Sequence, residues 1–474
     1  MKVYYLPLLM MPILALPIMT MAQSPINELP PNDEQRFLEI KDLAVADDLL
    51  NQDNPNIEID RAMPLGSTLE DELTRALVGK DWARLEVLLA KYQQQDNFDQ
   101  TLYDYALGAM HRSQGRHKQA IKLYQNVTSD ESLVYPSFDL AVMLFEDRQY
   151  RAAEQQFNKV YDKLPAQMQT IIRQYRNAIR RAERVQPRLS LNYEETDNVN
   201  NASSASIIEI NGAKFVKDSD SMPQSAHGVR YEIGASKDTN IGGNHFIVAD
   251  AGVDGVAYWD MPTYDEVTLG ARLGYANRDV KRYWHIIPFV EQNWLESDKY
   301  SRHHGVSATY SFKVLPDLQM SASFSHTQRR YENDRTAMRH DGRVNLGSLT
   351  LSKRLGNRYV AYAGFDFSED KVRDLSESSE RRGVRLGLAH YGESFGGRVM
   401  MRYAKRDFLA DNFWYDEIRR DKEYQVNAAM WYNPISYKGF TPSLNYRYQK
   451  INSNLDSMYS RSSQAIFVSL ERSF

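Results

Sequence analysis

Apolar and polar positions divide the chain into three regimes. Residues 3–19 form a nearly unbroken apolar run behind the single charge of Lys2, interrupted by Pro7, Pro12 and Pro17. From Ser67 the apolar positions take helical spacing: Trp82, Leu85, Leu88, Leu89 and Tyr92 fall on one face of a predicted helix. Beyond Pro187 the period drops to two. Val267, Leu269, Ala271, Leu273 and Tyr275 alternate with Thr268, Gly270, Arg272 and Gly274, and Leu318, Met320, Ala322 and Phe324 alternate with Gln319, Ser321, Ser323 and Ser325. Each such segment predicts a strand with one apolar and one polar face.

The first run reads as a cleavable export signal over residues 1–22. It is short of the ~20 residues that a spanning helix needs, and Thr20 and Ala22 supply the small residues expected before a cut at Gln23. Residues 23–62, with Ser24-Pro25, Pro30-Pro31 and Pro55, read as a flexible linker. An exported chain with no later apolar helix meets a membrane again only as a barrel or at its surface.

Residues 63–186 predict a helical domain. Ser67-Thr68-Leu69-Glu70 fits a capping box, Gly79 fits a left-handed helix end, and Asp81 fits the next cap. Leu107, Gly108, Ala120, Tyr124 and Val127 are matched 33 residues later by Leu140, Ala141, Ala153, Phe157 and Val160, with Pro165 closing the second copy. That pattern resembles the tetratricopeptide repeat. A helix over 167–184 would cap the stack. Tyr103, Tyr105 and Tyr124 read as core filler, or as lining of a concave groove for a peptide.

The region 187–474 predicts a transmembrane antiparallel β-barrel of 14 strands. They begin near Arg188, Val229, His245, Glu266, Tyr283, Gly305, Leu318, Arg343, Arg358, Arg382, Phe395, Glu423, Phe440 and Ser463. Long polar stretches (197–226, 328–341, 407–421) alternate with short turns such as Leu315-Pro316-Asp317, which is the loop pattern of an outer-membrane barrel. Trp284 and Trp294 share a parity about 25 Å apart, the height of an apolar band with aromatic girdles. Both ends of an even-stranded barrel lie on the short-turn side, so the helical domain is expected in the periplasm. Ile466, Val468, Leu470 and the last residue, Phe474, share one face, which resembles the signal read by the barrel-insertion machinery.

Composition then narrows the chemistry. The chain has no cysteine, which excludes disulfides, thiolate metal sites and a cysteine-linked lipid anchor. The net charge is −4 and the helical part is itself acidic, so no nucleic-acid footprint exists. No hydrolase elbow, zinc-protease or phosphate-loop motif occurs, so no catalytic residue, cofactor ligand or metal ligand is assigned. His303-His304 reads as a pair of solvated loop histidines on opposite faces. Asp366, Glu369 and Asp370 form an acidic cluster at a strand end, a candidate for Ca²⁺. Arg272, Arg385, Arg398, Arg402, Arg406 and Arg447 fall on polar faces. They either pair with lumen acids or form a hydrated path for a client. The barrel region holds 37 basic and 36 acidic residues, so charge balance is available.

Leader, short repeat domain and barrel together resemble the surface lipoprotein assembly modifier (Slam) family. The segment Glu195-Thr196-Asp197-Asn198-Val199-Asn200-Asn201-Ala202 looks like that family's Asp-Asn-(Ile/Val)-Asn-x-Ala motif, with Asp197, Asn198, Asn200 and Asn201 as its markers. The ending Phe467-Val468-Ser469-Leu470-Glu471-Arg472-Ser473-Phe474 resembles its closing strand. The resemblance implies an outer-membrane translocon. It would carry a client lipoprotein or haem-binding protein from periplasm to surface without nucleotide hydrolysis, with the repeats as the dock for the client or a periplasmic chaperone. A polysaccharide exporter of repeat-plus-barrel type and a passive porin are the alternatives.

Overall fold

The computed structural model describes residues 68–472, apart from 131, 211, 438 and 439. The expected leader, the linker and Phe474 lie outside the described residues.

Seven helices come first: α1 (Leu69–Val78), α2 (Trp82–Tyr92), α3 (Gln100–Ser113), α4 (His117–Val127), α5 (Val134–Glu146), α6 (Tyr150–Val160) and α7 (Ala166–Glu183). The cap of α1 differs from expectation. Thr68 is the N-cap and accepts from the Asp71 N–H at 3.3 Å. The helix begins one residue too late for Glu70 to close a box, and its carboxylate instead accepts from the Tyr92 hydroxyl at 2.9 Å. Gly79 is right-handed (φ −74°), and the left-handed turn falls on Lys80 (φ 52°). Asp81 caps α2 as expected, accepting from Arg84 N–H at 3.1 Å.

The 33-residue spacing has a packing cause. Gly108 lets α3 approach α4 so closely that a Cβ there would stand 2.6 Å from the Tyr124 ring. In the next copy Ala141 and Ala153 are fully buried and Phe157 fills the groove between them. Phe157 stacks on Tyr175 of α7 at 5.3 Å, so α7 closes the last repeat. The pairs α1–α2, α3–α4 and α5–α6 thus stack into one short solenoid.

Fourteen strands then close a barrel in the order β1-β16-β15-β14-β13-β12-β11-β10-β9-β8-β7-β6-β5-β4. They are β1 (Gln186–Thr196), β4 (Ala226–Gly242), β5 (His245–Tyr258), β6 (Glu266–Arg278), β7 (Arg282–Leu295), β8 (Asp298–Leu315) and β9 (Leu318–Tyr331). The remainder are β10 (Gly342–Leu355), β11 (Tyr359–Val372), β12 (Ser379–Tyr391), β13 (Phe395–Asn412), β14 (Glu417–Tyr432), β15 (Phe440–Ser453) and β16 (Arg461–Arg472). A hairpin, β2 (Ile207–Ile210) with β3 (Ala213–Val216), stands apart in the first long connection. Every barrel pair is antiparallel, and β1 meets β16 from Ser190↔Glu471 to Thr196↔Ala465.

The barrel is apolar outside and polar inside, the reverse of a soluble sandwich. Leu273 and Leu386 are each 63% exposed, and Ile286, Val290, Met401 and Ile466 also face outward. Arg329, Arg381 and Asp421 are at most 2% exposed, inside. With no free edge, every ladder hydrogen bond is made within the wall, as hydrocarbon surroundings demand. Trp284 and Trp294 are both half-buried, and Trp284 meets Tyr275 at 5.4 Å. Of the expected long loops, 197–226 and most of 328–341 are connections, whereas 407–421 is mostly paired strand. β9 runs on through Tyr331, and β13 and β14 leave a connection of only residues 413–416. These polar stretches pair because their hairpins rise past the apolar band into water. Between β9 and β10 a short helix, α8 (Asp334–His340), caps the tip, and α9 (Asp456–Tyr459) does so between β15 and β16.

The helical domain is seated on the short-turn rim. The α5–α6 turn enters the mouth: Tyr150 meets Phe246 edge to face at 5.9 Å. Phe246 and Ala276, on lumen-facing positions, share one buried cluster with Phe145, Phe157 and Tyr175. Asp147 accepts from Asn244 Nδ2 at 3.2 Å and from Val280 N–H at 3.3 Å, gripping two barrel turns at once. Asn240 N–H donates to Glu183 at 2.8 Å, and Lys118 pairs with Asp279 at 3.3 Å.

Candidate functional site

Strand parity builds the lumen wall. On β13, Arg398, Arg402 and Arg406 occupy alternate positions facing in, while Val399, Met401 and Tyr403 face lipid. Arg385 on β12 is buried and bonds Ser348 Oγ at 2.7 Å and Thr350 Oγ1 at 2.9 Å, with Asp366 at 3.0 Å. Arg402 reaches the same Asp366 at 3.4 Å. Arg406 donates to Ser379 Oγ at 2.8 Å and lies 3.8 Å from Asp370. Arg447 on β15 approaches Glu194 at 3.8 Å, and that carboxylate is held by Arg230 at 2.6 Å. Arg272 pairs with Glu291 at 3.1 Å. Arg398 makes no hydrogen bond or ion pair among the described residues.

The lumen is therefore electrically two-sided. The inner positions of β1 and β4–β7 carry seven carboxylates (Glu194, Glu232, Asp238, Asp250, Asp254, Glu266, Glu291) against four arginines. Those of β11–β16 carry eight arginines against four buried carboxylates, Asp366, Asp370, Asp421 and Glu423. The near-equal totals in the sequence hid this, because a total sums the lumen, the lipid face and the loops. Arg381 and Arg461 belong to this wall, Arg329 reaches its Asp370 at 3.6 Å from β9, and none of the three was singled out from the sequence. Their parity with buried neighbours is the signal that finds them.

Two expectations are corrected here. His303 is not in a solvated loop. It lies in β8, 8% exposed, against Ser301 Oγ at 3.2 Å, while His304 on the other face is exposed. The acidic cluster does not converge on a cation. Asp366 and Asp370 point inward onto arginines, whereas Glu369 points outward to Lys371 at 2.5 Å, because neighbours on a strand face opposite ways.

The marker motif sits where the first and last strands meet. Asp197 Oδ1 accepts from Gln464 N–H at 2.8 Å. Asn198 Nδ2 donates to the carbonyls of Ala202 and Ser462, each at 2.9 Å. Asn200 clasps the far side of its own loop, donating to Met222 O at 2.8 Å and accepting from Gln224 N–H at 3.1 Å. Asn201 is left-handed (φ 48°), a conformation asparagine tolerates, and it is buried. The connection 197–225 thus folds inward, and Asn201 lines a recess with Arg402, Glu423, Gln425, Gln449 and Arg461.

In the helical domain a polar network crosses from the second repeat to the third. Arg112 holds both oxygens of Glu146, at 2.6 and 3.0 Å, and His117 Nε2 lies 2.8 Å from it. Burial alone would push the Glu146 carboxyl up, but Arg112 and His117 outweigh it and hold it at about 2. Tyr105 donates to Asp139 at 2.9 Å, and burial pushes that carboxyl above its ordinary value. Tyr124 is core, Tyr105 is half-buried beside Asp139, and Tyr103 is half-buried against Phe98.

Comparison with known proteins agrees with this architecture. The sequence profile described as "Surface lipoprotein assembly modifier" matches residues 186–474, and the one described as "Surface lipoprotein assembly modifier, N-terminal TPR repeats" matches 65–157. The surface lipoprotein assembly modifier of Pasteurella multocida is 27% identical, over 81% of this chain and 78% of that protein. Surface lipoprotein assembly modifier 2 of Neisseria meningitidis is 26% identical over 86% of each chain. The hemophilin secretion modulator of Acinetobacter baumannii is 25% identical, again over 86% of each. Among solved structures, the outer membrane channel DcaP of Acinetobacter baumannii overlays with a TM-score of 0.34 and 10% identity, over 61% of this chain and 98% of that one. That overlay is too loose to bear on function. With a repeat domain docked on a 14-stranded outer-membrane barrel, and with the family profile covering the whole barrel, the chain belongs to the surface lipoprotein assembly modifier family.

Proposed function

We propose that this chain is an outer-membrane translocon that delivers particular surface lipoproteins, or soluble haem-binding client proteins, from the periplasm to the cell surface without hydrolysing nucleotide. The functional units are a leader (1–22), a linker (23–62), a periplasmic repeat domain (63–186) and the barrel (187–474). Arg272, Arg385, Arg398, Arg402, Arg406 and Arg447 belong to the client path. Asp197, Asn198, Asn200 and Asn201 fix the inward loop, and Phe474 serves recognition by the barrel-insertion machinery. The repeat domain receives the client, alone or from a periplasmic chaperone.

One observation carries the reading: the repeat domain inserts its α5–α6 turn into the mouth and shares a buried cluster with the lumen wall. A dock fused to a pore entrance suits handover of a macromolecule and has no use in a passive porin. The printed names of the relatives, surface lipoprotein assembly modifier and hemophilin secretion modulator, support the client class. Deletion of the gene with surface labelling tests it. At least one lipoprotein or haem-binding protein should vanish from the surface and accumulate inside. An unchanged set of surface proteins, together with steady ion conduction by the purified chain in planar bilayers, would favour a porin.

A further inference from the structure

The inward loop and the arginine-rich wall line a small, partly open recess whose lining has a specific deficit. Asn201 Nδ2 and Arg402 Nη2 are buried there with no acceptor, and their residues are only 8% and 5% exposed. Arg461 bonds the carbonyl of Tyr459 at 3.4 Å and pairs with no carboxylate among the described residues. The one carboxylate of the lining, Glu423, already faces Arg381 at 3.7 Å. Arg402 shares Asp366 with Arg385 through its Nε side at 3.4 Å, which leaves its Nη2, Arg461 and the Asn201 carboxamide as donors at the recess without a carboxylate of their own. Buried donors without acceptors cost free energy, and a ligand that supplies the acceptor recovers it. Beside them Gln425 Oε1 is a buried acceptor with no donor.

We propose that this recess is a carboxylate-recognition site for an acidic segment of the passing client, with Arg402, Arg461 and Asn201 taking an Asp or Glu side chain and Gln425 taking a neighbouring peptide N–H. The proposal rests on the translocon reading and names the client chemistry that this wall selects. The unpaired Gln425 oxygen favours peptide over a bare anion. A phosphomonoester dianion offers acceptors to the arginines but no donor to an amide oxygen; inorganic phosphate, as HPO4²⁻, keeps one O–H and is therefore the comparison the test includes. Position supports it as well. The recess is bounded by β13–β16 and by the inward-folded loop that bears the marker motif, so it lies on the lumen wall within reach of a segment in the lumen. Asn201 combines a left-handed backbone with a buried carboxamide at the recess, which gives this motif position a role in binding besides that of a turn.

The test uses the full chain in detergent micelles and a fluorescein-labelled hexaglutamate peptide, with hexaglutamine and inorganic phosphate as comparisons. Hexaglutamate should bind at low salt and weaken as salt screens it, and hexaglutamine should not bind. Arg461→Gln and Asn201→Ala should each weaken hexaglutamate binding, by about 10-fold for the arginine. Arg461→Lys, which keeps the charge, should stay within a few-fold. Heat-modifiable gel migration verifies that each variant barrel is closed. Equal binding by wild type, Arg461→Gln and Asn201→Ala would overturn the proposal. So would displacement of hexaglutamate by phosphate at the concentration at which unlabelled hexaglutamate displaces it, which would assign the recess to a bare anion. Surface delivery of the native client is scored separately, so loss of peptide binding alone leaves the translocon reading standing.

Discussion

Asp147→Ala should loosen the helical domain from the barrel without unfolding either. In the structure that carboxylate accepts from Asn244 Nδ2 at 3.2 Å and Val280 N–H at 3.3 Å, one on each of two barrel turns. A hydrogen bond to a charged group contributes about 1.5–3 kcal/mol. Burial pushes the Asp147 carboxyl above its ordinary value, which means that holding its charge is costly and offsets part of that gain. A net loss of about 2–3 kcal/mol remains, enough to raise the undocked fraction roughly 30- to 150-fold. The chain has no cysteine, so a single introduced thiol reports without background. Ala276, fully buried under the docked domain, is the reporter position. The labelling rate of Ala276→Cys, measured with and without Asp147→Ala, should rise by that factor. Ala404→Cys, buried on β13 away from the dock, should label at an unchanged rate. An Ala276→Cys rate that moves less than about twofold would refute the role given to Asp147.

Three further outcomes follow from the packing and the charges. Phe157→Ala removes a fully buried ring stacked on Tyr175 and should cost about 3–5 kcal/mol, read as loss of helical circular dichroism at lower temperature while the barrel keeps its heat-modifiable migration. Glu146 is held at about 2 against an ordinary 4.5, so its stabilisation is fully present above pH 4.5 and is lost as pH falls from there toward 2; it amounts to about 3 kcal/mol, and Glu146→Gln should flatten that part of the pH profile of helix melting. Leu386→Arg, on the lipid face in the middle of β12, should cost about 2–4 kcal/mol and reduce the closed barrel recovered on refolding into lipid.

The strands were legible because lipid and lumen impose opposite polarity on alternate residues. Even β5 and β10, whose alternation around Ile247 and Leu349 is weak, pair without a break over most of their length. The ends of the strands were less legible. Residues 328–331 and 407–412 carry Gln328, Arg329, Arg330, Asp407, Asp411 and Asn412 and lack a clean apolar face, so they read as loop while their backbones pair. The lumen arginines could be placed by parity, but their partners could not. Arg385 and Asp366 meet only through the register of β11 on β12. The dock was invisible for the same reason: Asp147 and Asn244 are 97 residues apart and neither belongs to a motif. The marker motif was visible as a string. Its tie to Ser462 and Gln464, across the closure of the barrel, needed the fold.

Helix α7 ends at Glu183 and β1 begins at Gln186, so only Arg184 and Val185 join them. Two residues reach about 7 Å when extended. The solenoid is thus leashed: even when its contacts with the rim are broken, it stays at the entrance. On the translocon function proposed above, a cargo caught by the solenoid would stay within a few nanometres of the channel, where an intramolecular encounter corresponds to an effective concentration on the order of millimolar. A weak grip on the cargo therefore suffices, and a weak grip is also the one that lets go.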